Sequence, residues 1–277
     1  MSFVASVYDP LGILSPVLLT PKLLLQNCVR KKLDWDAPLS TEDSDCWIRW
    51  LSELKELSTV SLSRCLKPKG FLRSSLQLHC FSDASELAYG AALYLRCTNE
   101  NDKVNCGLVL GKSRATPIRT VSIPRLELTA AVLSARLATQ LVEELHLECS
   151  VTFWTDSMIV LQLLRCLDRR FPTYVANRIS IIHQNSHPNQ WRYVTSKQNP
   201  ADLASRGMYI RTDKDPCRWT DGPAFLMQPE SSWPQAPKSV GELPIELSKK
   251  TSCQVLQAES EICWSTNFEN VPSWTAL

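Results

Sequence analysis

At 277 residues and a formal net charge of +2, the chain is long enough for a full core and more than one domain, but too weakly charged for composition alone to argue polyanion binding. Its eleven cysteines include no Cys-X-X-Cys pair, which argues against a zinc framework, and the apolar settings of Cys80, Cys106 and Cys166 suit buried thiols in a reducing compartment. The apolar start, Leu11 to Leu25, is broken by Pro16, Pro21 and Lys22, so it reads neither as a secretory signal nor as a membrane span.

In chain order, residues 1 to about 70 predict helices, notably Lys22 to Leu33 and Thr41 to Leu57. They carry a tryptophan seam at Trp35, Trp47 and Trp50 and end in a linker at Lys67-Pro-Lys-Gly70. Leu76 to Asp83 alternates apolar and polar residues at the strand period of two, with Leu76, Leu78 and Cys80 on one face. Ala88 to Leu95 and Val104 to Leu110 predict two more strands joined by the polar turn Thr98 to Asp102, so the three form an antiparallel meander. Pro124 suits a first helical turn, and Leu126, Ala130, Leu133, Leu137, Leu141 and Leu145 recur at helical spacing, which puts Glu127 in the first turn of a long helix. A fourth strand, Val151 to Thr155, delivers Asp156 and is followed by an apolar helix, Met158 to Leu167. Trp191 to Val194 reads as a fifth strand, and Asn199-Pro-Ala-Asp202 opens a short helix that stops at Gly207. Beyond it, Pro216, Pro223, Pro229, Pro234, Pro237 and Pro244 interrupt every long element, so 211–277 reads as an extension and linker, with Trp219 to Phe225 and Trp233 able to pack on the domain and little order expected from Gln235 onward.

Four acids, Asp83, Glu127, Asp156 and Asp202, thus fall where strands end or helices begin. Singly, each has a plainer role: Glu127 and Asp202 would complement helix dipoles, worth about 0.3–1 kcal/mol each, and Asp83 and Asp156 would be turn residues. Together they describe a two-metal nuclease site. Cations are also clustered. Lys112, Arg114, Arg119 and Arg125 precede the long helix, while Arg165, Arg169, Arg170 and Arg178 surround the connection after Asp156. Ser85, Arg125, Ser157, Arg169, Arg170, Arg178 and Lys197 are the candidates for contacting nucleic acid. Phe171, Tyr174 and Trp191 are candidates for base stacking, with core packing the simpler role for such large rings. His183-Gln-Asn-Ser-His187 has the spacing of half a zinc site but lacks a cysteine pair to complete it.

The strings Phe81-Ser-Asp-Ala-Ser85, Ser122-Ile-Pro-Arg-Leu-Glu-Leu128, Phe153-Trp-Thr-Asp-Ser157 and Asn199-Pro-Ala-Asp-Leu-Ala-Ser-Arg-Gly207 resemble the ribonuclease H region of Pao (BEL-type) long-terminal-repeat retrotransposon polyproteins. Ala5-Ser-Val-Tyr-Asp-Pro-Leu-Gly-Ile-Leu-Ser-Pro16 resembles the same family's segment just downstream of the reverse transcriptase palm. The similarity covers roughly residues 3 to 234. The resemblance implies an α/β ribonuclease H-like fold: a five-stranded mixed sheet, three antiparallel strands then helix-strand units, flanked by helices. It divides the chain into a reverse-transcriptase tail at 1–70, a ribonuclease H domain at 71–210 and the extension at 211–277. It also implies hydrolysis of the RNA strand of RNA/DNA hybrids with two Mg²⁺ ions, Mn²⁺ serving as substitute. Asp83 would bridge the ions, Glu127 and Asp156 would hold one, and Asp202 the other.

The chemistry explains why four acids are wanted. Two divalent ions roughly 3.5–4 Å apart activate a water and neutralise the phosphate, and Mg²⁺ prefers such oxygen ligands. Without cations, a carboxylate pair 4 Å apart repels by about 4 kcal/mol at an effective dielectric of 20. One departure matters. Many relatives carry a histidine in the loop before the last acid, whereas this loop is Val194-Thr-Ser-Lys-Gln198, which predicts slow turnover. The chain has no Asp-Thr-Gly or Asp-Ser-Gly protease loop and no aromatic-X-Asp-Asp polymerase motif. Polymerase would lie upstream and integrase downstream in a polyprotein, in the cytoplasm or a virus-like particle, with no membrane. The alternative is a degenerate or domesticated fragment that binds nucleic acid or protein without cutting. A third is an unrelated metal-dependent nuclease of the same superfamily.

Overall fold

Alternation along one central strand shows how the sheet is covered. In β2 (Ala88–Asn99), Ala91, Leu93, Leu95 and Cys97 join one apolar cluster, while Ala92 and Tyr94 join another on the opposite face. A strand buried on both faces must lie inside a sheet with a layer on each side. The computed structural model describes residues 4–237 apart from 5, 35, 58–64, 67, 69, 72–73, 167–169 and 210–216, together with residue 247. Trp35, Arg169, part of the linker at 67–70, Pro216 and most of the chain after 237 therefore lie outside the described residues.

β2 pairs antiparallel with β1 (Ser74–Ala84) and β3 (Val104–Ala115), and β4 (Ser150–Thr155) and β5 (Trp191–Tyr193) continue the sheet in parallel, giving the order β3-β2-β1-β4-β5. This is the expected five-stranded mixed sheet. β3 runs past its expected end at Leu110, so Lys112 and Arg114 sit on a strand rather than in the approach to the helix.

The first face is covered by α3 (Ile123–Glu144), α4 (Met158–Arg165) and α5 (Thr173–Asn185). Here α1 and α2 denote the two N-terminal helices, Ser15–Arg30 and Thr41–Glu56. The α3 stripe is broader than its leucine spacing suggests: Leu128, Ala131, Ala135 and Ala138 are buried against the sheet, whereas Leu145 is exposed. Phe171 and Trp191 belong to this core, and Trp191 stacks on Phe153 at 4.7 Å between centroids, so the packing role holds for both.

The second face is assembled from segments before and after the strands and helices of the first. Val17, Leu18 and Trp50 of the N-terminal helices join Ala201 and Ala204 of α6 (Ala201–Arg206) and Trp219, Phe225, Leu226 and Trp233 from the extension, all packed on Phe81, Tyr94 and Trp154. The N-terminal helices thus share a core with the sheet. Leu11 O accepts from Gly111 N of β3 at 2.9 Å, and Trp219 Nε1 donates to Ile13 O at 2.7 Å. The extension, expected to be largely irregular, has its own short helix, Cys217–Thr220, and two single turns, Ala224–Met227 and Glu230–Ser232.

α1 starts at Ser15, ahead of the expected Lys22, and runs through Pro21. A proline inside a helix leaves the carbonyl four residues back without its donor. That carbonyl belongs to Val17, and the buried Trp50 indole supplies the hydrogen bond at 2.9 Å. His79, which alternation would turn to solvent, is wholly buried: its Nδ1 accepts from Trp154 Nε1 at 3.1 Å and Trp233 meets it edge-on. Burial, reinforced by Arg96 and Arg192, pushes its pKa down to about 3, so it is a neutral core residue. Among the described residues no helix is long and apolar enough to cross a membrane.

Candidate active site

The pairing of parallel strands β1 and β4 runs out at Ser82 opposite Thr155, so Asp83 and Asp156 follow side by side at their carboxyl ends. Crevices at the carboxyl ends of parallel strands are where α/β sheets bind ligands. Asp83 sits opposite Gly90 in the register with β2, and a Cβ at Gly90 would lie 2.5 Å from the Ala204 Cβ. Glycine here lets α6 approach the strand and bring Asp202 beside Asp83. Gly207, at φ 87°, ends α6 as expected. Glu127 arrives from the first face. It lies in the second turn of α3 rather than the first, too far along to serve as a dipole-capping acid.

Each acid is held by its own donor. Ser205 Oγ, on buried Ser205 of α6, donates to Asp83 Oδ2. Ser157 Oγ donates to Glu127 Oε2 at 2.5 Å while capping α4 by accepting from Val160 N. Ser196 Oγ donates to Asp156 Oδ2 at 2.5 Å, and Asn199 Nδ2 reaches Asp156 Oδ1 at 3.5 Å. Arg206 Nε donates to Asp202 Oδ1 at 2.5 Å, one helical turn on.

The electrostatics tie the acids together. Burial, then Asp156 and Asp202, push the Asp83 carboxyl up to about 7 against the lowering effect of Ser205. Burial and Asp156 raise Glu127, which Ser157 opposes. The Asp202 hydrogen bond, with the field of Asp83 and Asp156, raises Arg206. Among the described residues no three His, Cys, Asp or Glu side chains converge into a ready-made metal cage. The cluster acts through charge, with individual oxygens turned to serine and arginine donors. Its donors are all oxygens, the set that Mg²⁺ and Mn²⁺ take, and a buried carboxyl that retains a proton near neutrality fits a cation in its place.

The other candidates divide. Arg170 and Lys197 are exposed, and Arg169 lies outside the described residues. Arg178 packs its guanidinium 3.3 Å from the Tyr174 ring centre and donates to Thr129 Oγ1 and Tyr174 O, joining α5 to α3, while Arg125 sits 5.4 Å from the same ring. Ser85 works inside the fold: its hydroxyl donates to Ser205 O at 2.7 Å and accepts from the Leu87 and Ala88 amides. His183 meets Leu164 O and His187 caps the turn Pro188–Gln190, so neither is arranged as half a zinc site. Sequence reasoning missed Ser196, Asn199, Ser205, Arg206 and Arg218 around the acids. Ser205 and Arg206 were legible as neighbours three and four places after Asp202 on a helix; Ser196 and Arg218 have no such local signal.

Among curated proteins none matches the chain. Solved structures that resemble it are distant. The N-terminal RNase H domain of rv2228c from Mycobacterium tuberculosis is 11% identical at TM-score 0.31, covering 47% of this chain and 91% of that one. LC11-RNase H1, solved in complex with an RNA/DNA hybrid, is 16% identical at TM-score 0.30, covering 45% and 88%. The foamy viral protease-reverse transcriptase, in complex with double-stranded DNA, is 12% identical at TM-score 0.34, covering 71% of this chain and 34% of that one. The model described as the Pao retrotransposon-like RNaseH-like domain matches residues 1–157, from the N-terminal segment through Asp83, Glu127 and Asp156, and stops short of Asp202. With that match over more than half its length and the β3-β2-β1-β4-β5 sheet, the chain belongs to the Pao retrotransposon-like RNaseH-like domain family.

Proposed function

We propose that the chain is a metal-dependent endoribonuclease that hydrolyses the RNA strand of RNA/DNA hybrids. The observation that carries the reading is Asp83: a carboxyl held near pH 7 by burial and by Asp156 and Asp202, at the carboxyl ends of two parallel strands. A partly buried cluster of like charges is stabilised by taking up cations or protons. Asp83, Glu127, Asp156 and Asp202 would hold two divalent cations, Mg²⁺ or Mn²⁺, with Glu127 and Asp156 serving one, Asp202 the other and Asp83 both. When bound, such ions supply an activated water and neutralise charge on the phosphate. The chain's own residues prepare for this. Ser157 and Ser196 fix one oxygen each of Glu127 and Asp156, Ser205 ties Asp83 to the helix that bears Asp202, and Asp83 yields its proton as positive charge enters. Exposed Arg170 and Lys197, with Arg125 and Arg178 beside Tyr174, would meet the backbone phosphates. On this reading residues 1–70 are the tail of a reverse transcriptase, with polymerase upstream and integrase downstream in a polyprotein acting in the cytoplasm or a virus-like particle.

The test is cleavage of a hybrid with labelled RNA, and of duplex DNA, by the purified chain with Mg²⁺ or chelator. RNA cutting that needs the metal and falls at least about 100-fold in Asp83→Asn is expected, a loss of at least ~2.7 kcal/mol of transition-state stabilisation. Equal cleavage by that variant would overturn the site, and binding of hybrid without cutting would favour a domesticated, non-catalytic fragment.

A further inference from the structure

The helix Cys217–Thr220 lies beyond the last acid-bearing helix, in a segment whose composition reads as linker, yet one of its side chains reaches the loop that supports the acids. Arg218 donates through Nη2 to Asn199 O at 2.6 Å and to Ser196 O at 3.3 Å. Those two loop residues are the ones that touch Asp156, Ser196 through its hydroxyl and Asn199 through its amide.

Asn199 is the hub of this arrangement. It is wholly buried, and its Nδ2 also donates to the carbonyl of Ser82, the residue before Asp83, at 3.0 Å. Its Oδ1 accepts from Ala201 N at 3.2 Å, and its main-chain oxygen, besides receiving Arg218, accepts from Asp202 N at 3.2 Å. One residue therefore sets Asp156 directly, Asp83 through its neighbour and Asp202 through the first turn of α6. A charge-assisted hydrogen bond to that residue's carbonyl is stronger than a neutral one, and it fixes the loop where the acids need it.

Arg218 is itself anchored. The next residue, Trp219, is buried; its indole donates to Ile13 O and its carbonyl accepts from Tyr94 OH at 2.8 Å. Its ring lies so close to β3 that a Cβ at Gly111 would come within 2.5 Å of Trp219 Cζ2. The guanidinium thus projects from a point pinned to the sheet and to the N-terminal segment.

We propose that Arg218 is a positioning residue of the candidate site: through Asn199 and Ser196 it holds the 196–199 loop so that Asp156 and Asp202 are set for a divalent cation. This rests on the metal-dependent nuclease reading above and assigns the extension a working part in it. Arg218 also lines, with Lys197, Asp221 and Met227, a cleft of about 440 Å³, so direct contact with substrate is the competing role. A positioning role would act on cation affinity and on the chemical step, whereas a substrate contact would act on hybrid affinity.

The experiment compares the full chain with Arg218→Gln and Arg218→Lys. Mg²⁺ affinity is read by calorimetry without substrate, kcat and KM on a hybrid, and the folded state by thermal melt. Supporting shells around metal ligands are worth about 10- to 100-fold, so Arg218→Gln is expected to weaken Mg²⁺ binding and lower kcat by that order with KM little changed. Arg218→Lys, which keeps a charged donor, should recover part of both. Wild-type Mg²⁺ affinity and kcat in Arg218→Gln would overturn the proposal, as would a rise in KM alone. Should Arg218→Gln not fold, Arg218→Lys decides by itself: weakened Mg²⁺ binding supports the role and wild-type binding overturns it. A wild-type chain that binds Mg²⁺ but cuts nothing sinks the nuclease reading while the calorimetry still judges Arg218. One that binds no Mg²⁺ overturns both.

Discussion

The two faces of the sheet are built on different plans. The face under α3 and α5 is largely aliphatic, and most of its residues fall between Leu78 and Trp191, so neighbouring elements supply it. The opposite face is rich in large rings, Trp50, Phe81, Tyr94, Trp154, Trp219, Phe225 and Trp233, and draws on segments as far apart as Val17 and Trp233. Leucines at helical spacing can build a face locally, while a face made of single aromatic anchors needs distant segments to arrive one by one. The acids lie where the two meet: Glu127 comes from the aliphatic side, whereas Asp83, in phase with Phe81 along β1, turns toward α6 on the aromatic side.

Truncating one anchor on each side should separate these plans and give the largest effect. Trp219→Ala is expected to cost about 3–5 kcal/mol in urea unfolding and Leu128→Ala about 2–5 kcal/mol. Only the first should make residues 9–16 more open to protease, because it removes the Trp219–Ile13 bond and leaves the segment on the Gly111–Leu11 bond. If Leu128→Ala frees that segment equally, the faces are one cooperative unit and the distinction fails.

A smaller effect is expected where α6 meets the sheet. Gly90→Ala puts a methyl 2.5 Å from Ala204 Cβ and 2.8 Å from Lys112 O, and overpacking of this kind costs about 1–3 kcal/mol. The same shift would move Asp202 away from Asp83. Urea unfolding checks the first, and Mg²⁺ calorimetry the second; a variant with both unchanged would show that the contact yields without disturbing the site.

The remaining effect is a gain. Asp83, with a folded pKa of about 7, favours the fold when protonated, so its contribution is full below about pH 4 and is lost as pH rises through 7. Asp83→Asn should therefore melt higher than wild type in chelator at pH 7.5 or above, by about 2–4 °C for each kcal/mol relieved. The gain should shrink at low pH and in saturating Mg²⁺. A variant that melts lower in chelator would mean that the four acids do not share one field.

Much of the aliphatic half was legible in the sequence. Period two located β1 from Leu76 onward, and the recurrence through Leu126, Ala130, Leu133 and Leu141 located α3, because each pattern reports one buried face of one element. What escaped were features fixed by the second layer. His79, off the face shared by Leu76, Leu78 and Cys80, is covered by Trp154 and Trp233, and α1 runs through Pro21 with Trp50 bonding the carbonyl that the proline leaves bare. Around the site, the acids could be found from where they fall on strands and helices. Arg218 could not, since it follows Asn199 by nineteen places and no local spacing connects them.

The clasp between Trp219 and Ile13 spans 206 residues, and that between Ser205 and Asp83 spans 122. Contacts so far apart in sequence close slowly, and they cannot close before both partners have been synthesised. A nascent chain would carry Phe81, Tyr94 and Trp154 uncovered until residues 219–233 left the ribosome, a period in which such surfaces invite misassociation. Order of synthesis thus sets the order of assembly: the acids acquire Ser196, Ser205 and the Arg218-held loop only after the sheet strands that carry Asp83 and Asp156 have been made.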